Sequence, residues 1–244
     1  MPDSKCVFIT GVSSGIGHAL AAEYLDQGFR VYGVSRRCPA DLIEREGFFH
    51  RSLDLQDHGK TRETLAILLG DVERLDLAVL NAGVMGTFGD LGEVPLGDLQ
   101  EVLEINVWVN KTVLDSLFSQ GRRIDQVVAI SSGASVNGNR GWAGYSISKA
   151  TLNMLIKLYA KERPRTHFCA LAPGVLRTAM LDKLLSLSPD DRYPSIEALR
   201  AKSDASQISD PESAAGMLVE AFGRLPGLIE SGDYADLRTL PEPG

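Results

Sequence analysis

Thr10-Gly11-Val12-Ser13-Ser14-Gly15-Ile16-Gly17 follows directly on the apolar run Cys6-Val7-Phe8-Ile9 and leads into a segment of helical period. Glycines let a backbone turn tightly and leave its N–H groups unshielded. A helix that begins at such a turn adds partial positive charge, so a strand emptying into it offers a seat for a phosphate. The spacing is Gly-x3-Gly-x-Gly and departs from the Gly-x-Gly-x-x-Gly of the common dinucleotide fingerprint. Gly11, Ser13, Ser14, Gly15, Ile16 and Gly17 are therefore candidate phosphate-cradle residues, against the plainer reading of a tight turn and nothing more. Gly11-Val12-Ser13-Ser14-Gly15 also matches the Gly-x-Ser-x-Gly elbow of serine hydrolases. That chemistry needs strands before the elbow and a His on a late loop. Here only ten residues precede the turn, and the last His, His167, opens an apolar run.

Further apolar runs lie at Val31-Tyr32-Gly33-Val34, Leu77-Ala78-Val79-Leu80, Val127-Val128-Ala129-Ile130 and Phe168-Cys169-Ala170-Leu171. None alternates polar with apolar. A strand that is apolar on both faces belongs to a parallel sheet covered by helices on each side. Helical periodicity predicts helices over 15–28, 57–69, 98–119 and 143–162, ended by Gly28, Gly70, Gly121 and Pro164. Two weaker strands are expected at Phe48-Phe49-His50-Arg51 and Leu228-Ile229. The alternation predicts an α/β fold: a Rossmann-type, doubly wound parallel sheet flanked by helices, in one domain over 1–244. Residues 183–210 carry a broken helical pattern and read either as a surface insertion or as a mobile lid over a substrate cleft.

In such a sheet the end of the second strand discriminates between dinucleotides, and an acidic residue there would hold a ribose hydroxyl. This chain has Val34-Ser35-Arg36-Arg37 instead. Two guanidinium groups can grip a phosphate, which points to NADP(H); the alternative is a pair of solvated surface arginines. Tyr145 and Lys149 share one face at the start of the 143–162 helix, and Ser131-Ser132 follows the preceding strand. Hydride transfer to a carbonyl needs a proton donor where negative charge develops on oxygen. A phenol titrates near a pKa of about 10, and a neighbouring ammonium lowers it. Lys149 can supply that charge and Ser132 can hydrogen-bond the substrate oxygen. Asn106 falls on the apolar face of the 98–119 helix, among Leu99, Val102, Leu103, Val109 and Val113. A buried amide must find partners. It makes either a helix-packing hydrogen bond or a kink holding a water that links Lys149 to solvent.

The ordered set resembles the short-chain dehydrogenase/reductase family across nearly the whole chain. The matching elements are Thr10-Gly11-x3-Gly15-Ile16-Gly17, Asp54-Leu55, Asn81-Ala82-Gly83, Asn106, Ser132, Tyr145, Lys149 and Pro173-Gly174-Val175-Leu176-Arg177-Thr178. The resemblance implies a sheet of about seven strands and an Asn106-Ser132-Tyr145-Lys149 tetrad with Tyr145 as acid–base residue. It also implies Asp54 and Leu55 beside the adenine, Asn81, Ala82 and Gly83 along the cofactor cleft, and Val175 and Thr178 at the nicotinamide. Gly141-Trp142-Ala143-Gly144-Tyr145 and the tail Ser231–Asp236 look like the sepiapterin reductase and benzil reductase branch, whose members reduce dicarbonyl-type substrates with NADPH. By that likeness Trp142 borders the substrate and Asp236 reaches it. The family also implies a homodimer or homotetramer, although Val109 stands beside Asn110 where many members have a small residue.

Composition narrows the field. Lys plus Arg is 25 against 32 Asp plus Glu, a net charge of −7, which argues against a nucleic-acid partner because phosphate contacts need a basic surface. No run of about 18 apolar residues suggests a membrane span. Met1-Pro2-Asp3-Ser4-Lys5-Cys6 lacks a leader's basic flank and apolar core. Cys6, Cys38 and Cys169 form neither a disulfide framework nor a zinc pattern, and His18, His50, His58 and His167 show no metal-ligand spacing, so they read as structural or solvated. The expectation is a cytoplasmic, NADPH-dependent carbonyl reductase without a metal, acting on a small-molecule ketone or dicarbonyl. An NADP-binding sensor without turnover and an NAD-dependent alcohol dehydrogenase are the alternatives.

Overall fold

The apolar runs are parallel strands. The computed structural model describes residues 5–241. Its strands are β1 (Cys6–Thr10), β2 (Arg30–Ser35), β3 (Phe48–Ser52), β4 (Arg74–Leu75), β5 (Leu77–Leu80), β6 (Arg123–Ile124), β7 (Gln126–Ile130), β8 (His167–Ala172) and β9 (Tyr234–Asp236). Seven of them form one sheet in the order β3-β2-β1-β5-β7-β8-β9, and β4 pairs with β6 in a separate two-stranded sheet. Every neighbouring pair of the large sheet is parallel.

Alternate residues of each central strand enter opposite cores. Phe8, Ala78, Leu80, Val127, Ala129, Phe168 and Ala170 pack into one core, with Leu65, Val113, Leu117, Leu152 and Ile156. Val7, Ile9, Leu77, Val79, Val128, Ile130, Cys169 and Leu171 pack into the other, with Leu20, Tyr24, Leu218, Phe222 and Leu225. The helices are α1 (Gly15–Asp26), α2 (His58–Leu68), α3 (Leu96–Leu103), α4 (Val109–Phe118), α5 (Ala134–Asn137), α6 (Ala143–Glu162), α7 (Ala179–Leu185), α8 (Pro194–Asp204) and α9 (Pro211–Leu228). Thus α1 and α9 cover one face, and α2, α4 and α6 the other. Strand order reverses between β1 and β5, where a doubly wound sheet opens a crevice at its carboxyl edge. Among the described residues, no helix is long and apolar enough to cross a membrane.

Two expectations change. The strand expected at Leu228-Ile229 is instead the end of α9, and the edge strand is Tyr234–Asp236. Helical spacing of Leu218, Phe222 and Leu225 puts this segment on the core, and Pro226 does not end it. Proline removes the donor that would reach the Phe222 carbonyl, and the Gln126 side chain donates there in its place at 2.8 Å. The single helix expected over 98–119 is α3 and α4 joined by a π-helical turn, Glu104–Trp108, centred on Asn106. Residues 183–210 hold the end of α7 and all of α8, packed through Leu184, Tyr193 and Ile196 against Met85, Phe88, Trp142 and Leu199.

Arg122 fastens the far end of the molecule. Its guanidinium donates to the carbonyls of Val72 (2.6 Å), Leu117 (3.1 Å) and Leu69 (2.6 Å), at the C-terminal ends of α2 and α4, where a cation also suits the helix dipoles. Arg122→Met leaves those carbonyls unpaired and should lower unfolding stability by about 2 kcal/mol in urea titrations. An unchanged midpoint would show that water replaces the guanidinium without loss.

Candidate active site

The glycine turn between β1 and α1 is built for close approach. Gly11 and Gly15 adopt left-handed φ values of +77° and +61°. A Cβ on Gly17 would overlap the Gly11 carbonyl oxygen and the Asn81 side-chain nitrogen, so the third glycine serves helix–strand packing and lies beneath the turn. Ser14 is the N-cap of α1, yet its side chain caps none of the helix N–H groups. The crevice beside the turn is held by Thr10, which is fully buried. Its hydroxyl accepts from the backbone N–H of Asn81 (2.9 Å) and Ala82 (3.0 Å). The Asn81 amide nitrogen donates back to the carbonyls of Thr10 (3.0 Å) and Gly11 (3.2 Å).

A cleft of about 480 Å³ opens here. Gly11, Ser13, Ser14, Gly15, Ile16, Arg36, Arg37, Asp54, Leu55, Asn81, Ala82, Gly83, Ser132, Trp142, Tyr145, Lys149, Val175 and Thr178 all line it. Arg36 and Arg37 are exposed at the end of β2, and among the described residues no carboxylate pairs with either. Gly17, Asn106 and Asp236 are not among the lining residues.

Lys149 and Tyr145 meet on the first turns of α6. Lys149 is 4% exposed, and its ammonium donates to the Ile130 carbonyl at 2.8 Å and lies 5.7 Å from the centre of the Tyr145 ring. Burial pulls its pKa down to about 8, so it remains a cation at neutrality. For Tyr145 burial has the larger effect and raises the pKa, while a hydrogen bond with the Ser132 hydroxyl pulls the other way. The net shift is upward, opposite to the lowering expected from the sequence, and burial is its cause.

Asn106 sits inside the π turn and acts as a staple. Its Oδ1 accepts from the Val84 N–H (2.8 Å), and its Nδ2 donates to the Val84 carbonyl (2.8 Å) and to Ser148 Oγ (2.9 Å). These bonds tie the strand-end segment that follows β5 to α6. A methyl group on Gly83 would meet Asn106 Oδ1 at 3.1 Å and the Lys149 ammonium at 3.5 Å, so residue 83 keeps those groups close.

Trp142 lines the cleft one turn before Tyr145, its ring 6.0 Å from that of Tyr145. Its indole donates to Ser195 Oγ (2.8 Å) and its ring lies nearly perpendicular to that of Phe88, 5.7 Å between centres. Asp236 departs from expectation. Both its carboxylate oxygens are taken by the Arg238 guanidinium (2.9 and 2.6 Å), and it caps the short turn Leu237–Thr239 rather than reaching the cleft. Sequence reasoning missed the apolar wall of the cleft, Met85, Ile105, Met180, Leu184 and Leu199 among others. No spacing marked these residues; α7 and α8 bring Met180, Leu184 and Leu199, the segment after β5 brings Met85 and the π turn brings Ile105.

The family model for short chain dehydrogenases matches residues 5–187. A benzil reductase ((S)-benzoin forming) of Bacillus subtilis is 28% identical over 224 residues, covering 86% of this chain and 90% of that protein. A benzil reductase ((S)-benzoin forming) of Saccharomyces cerevisiae is 27% identical over 250 residues, covering 94% of each. A solved short chain dehydrogenase/reductase from Saccharomyces cerevisiae superposes with a TM-score of 0.82 at 22% identity, over 98% of this chain and 100% of that one. With its switch-point cleft, glycine turn and ordered motifs, the chain belongs to the short-chain dehydrogenase/reductase family of oxidoreductases, which bind a nicotinamide cofactor, and resembles its benzil reductases.

Proposed function

We propose that this protein is an NADPH-dependent carbonyl reductase acting on a ketone or dicarbonyl with a bulky apolar substituent. The observation that carries the reading is the convergence of the Tyr145 phenol, the Ser132 hydroxyl and the buried Lys149 ammonium in the cleft that the glycine turn opens. The residues fit a dinucleotide. Glycines at 11 and 15 leave room where a Cβ would block approach, and the first N–H groups of α1 are uncapped by Ser14. Arg36 and Arg37, free of carboxylate partners among the described residues, suit the extra phosphate of NADP(H). Asp54 and Leu55 would flank the adenine, Asn81, Ala82 and Gly83 the middle of the cofactor, and Val175 and Thr178 its nicotinamide.

When bound, a nicotinamide would supply the hydride. Ser132 orients the carbonyl oxygen by hydrogen bonding, and Tyr145 delivers the proton to that oxygen as charge develops. Lys149 holds a positive charge beneath the phenol and favours its ionised form after the proton has left. Asn106 and Ser148 fix α6 against the segment after β5 and so hold Tyr145 and Lys149 in register. Met85, Trp142, Leu184 and Leu199 present an apolar wall to the rest of the substrate, which suits an aryl group of the kind that the benzil reductases' names indicate. A homodimer or homotetramer working in the cytoplasm, with 183–210 acting as lid, completes the proposal.

Tyr145→Phe should leave NADPH affinity within about twofold and lower turnover of aryl diketones by roughly 10²–10⁴-fold, as expected for loss of a general acid. Near-normal cofactor oxidation by that variant would remove Tyr145 from the mechanism. Lys149 predicts a trade of stability for function. Its folded pKa of about 8 lies below the unfolded value of 10.5, so the unfolded chain binds more protons between these limits and stability rises with pH across that window. Below about pH 8 the full cost of burying the charge is present. Lys149→Met should therefore be more stable than the parent at pH 7, by up to ~3 kcal/mol, with the gap closing as pH rises toward 10, while activity collapses. A variant less stable at pH 7 would mean that the ammonium strengthens the fold.

A further inference from the structure

Arg36 and Arg37 stand on an exposed turn, and long cationic side chains on a loose turn make a poor phosphate grip because ordering them costs entropy. The structure ties that turn down from below. Ser35, the last residue of β2, is 6% exposed, and its hydroxyl donates to the Arg37 carbonyl at 2.7 Å. His50 on β3 is 8% exposed, and its Nε2 lies 3.0 Å from the same hydroxyl oxygen. A serine hydroxyl has one hydrogen, and here it points to Arg37. The His50 nitrogen is therefore the donor to Ser35, which assigns the proton to Nε2. The result is a one-way relay, His50 to Ser35 to the Arg37 backbone.

A buried imidazole is an expensive choice for a strand interior unless its hydrogen bonds are used. An apolar side chain would pack equally well against Phe48, on which the His50 ring stacks at 6.1 Å. Burial lowers the His50 pKa, which keeps the ring neutral, and Arg51 adds to the effect. The β2 backbone at Ser35 is already occupied, since its carbonyl accepts from Leu53 at 3.0 Å. The side-chain relay is thus what reaches from the sheet to the turn that carries the two guanidinium groups.

We propose that His50, acting through the Ser35 hydroxyl, is a positioning residue for the Arg36–Arg37 turn and thereby sets the preference for a 2′-phosphorylated dinucleotide over its unphosphorylated counterpart. The inference rests on the NADPH reading above. The test compares KM for NADPH and for NADH, with kcat and melting temperature, in the parent and in His50→Leu, His50→Gln and Ser35→Ala. Leucine removes the donor, whereas glutamine can restore an N–H near the position of Nε2. His50→Leu and Ser35→Ala should each raise KM for NADPH about five- to twentyfold, with kcat and KM for NADH changed by less than about twofold, and His50→Gln should recover most of the loss. If His50→Leu fails to fold, Ser35→Ala and His50→Gln carry the same comparison. A preference for NADPH that survives loss of the relay, or a loss shared equally by both cofactors, overturns the positioning role alone. A parent protein that uses NADH as well as NADPH overturns the cofactor reading and this inference with it.

Discussion

One buried positive charge organises the site. Lys149 is buried and its ammonium is anchored to the Ile130 carbonyl, at the point where β7 stops and Ser131-Ser132 begins. A charge so placed is tolerable only if its surroundings are fixed, because each lost hydrogen bond in a medium of low dielectric costs more than it would in water. The fixing is visible on every side. α6 is held to the sheet through Leu152, Ile156 and Tyr159, Ser148 is bound to Asn106, and Gly83 leaves room for Asn106 and Lys149 to approach. Tyr145, one turn before Lys149, is thereby held over the cation without touching it.

The frame around this charge is polar where the rest of the interior is apolar. Thr10 and Asn81 hold the crevice between β1 and β5. Ser131 donates to Asn153 Oδ1 (2.6 Å), and Asn153 Nδ2 donates to Ser135 (2.9 Å), which secures the turn that carries Ser132. Such networks are stabilising when every member is satisfied and define one geometry where apolar packing would allow several. The opposite wall of the cleft is apolar and comes from α7–α8, held against Trp142 by the Ser195 hydrogen bond and by the Phe88 and Tyr193 rings. In the function proposed above, chemistry falls to the rigid polar side and substrate choice to the apolar one.

Much of this is legible in the residues themselves. Strands apolar on both faces announce a sheet covered twice, and Val7–Ile9, Ala78–Leu80 and Val127–Ile130 obey that rule residue by residue. The edge strand Tyr234–Asp236 escapes it because only Ala235 is buried, so its pattern carries no two-sided signal. The segment ending at Leu228 misleads in the other direction, since Leu228-Ile229 has the apolar look of a strand while Gln126 replaces the donor that Pro226 removes and the helix runs on to Leu228. Asn106 on an apolar helix face leaves a packing hydrogen bond or a kink open in the sequence, and the structure shows both its hydrogen bonds and a π turn around it. Asp236 looks available in sequence because the grip of Arg238, two residues away, depends on a local turn. His50 reads as one more structural histidine until pairing of β2 with β3 brings it to Ser35.

The central claim is that burial raises the Tyr145 phenol and that the Lys149 ammonium, joined by the positive charge of an oxidised nicotinamide when one is bound, would bring it into range for proton transfer. Ultraviolet difference titration of phenolate formation, parent minus Tyr145→Phe, reads that group alone, with the free protein compared against its complex with NADP⁺. The account predicts a transition above pH 10 in the free protein that moves down by at least two pH units in the complex. A transition at the same pH in both states would contradict it.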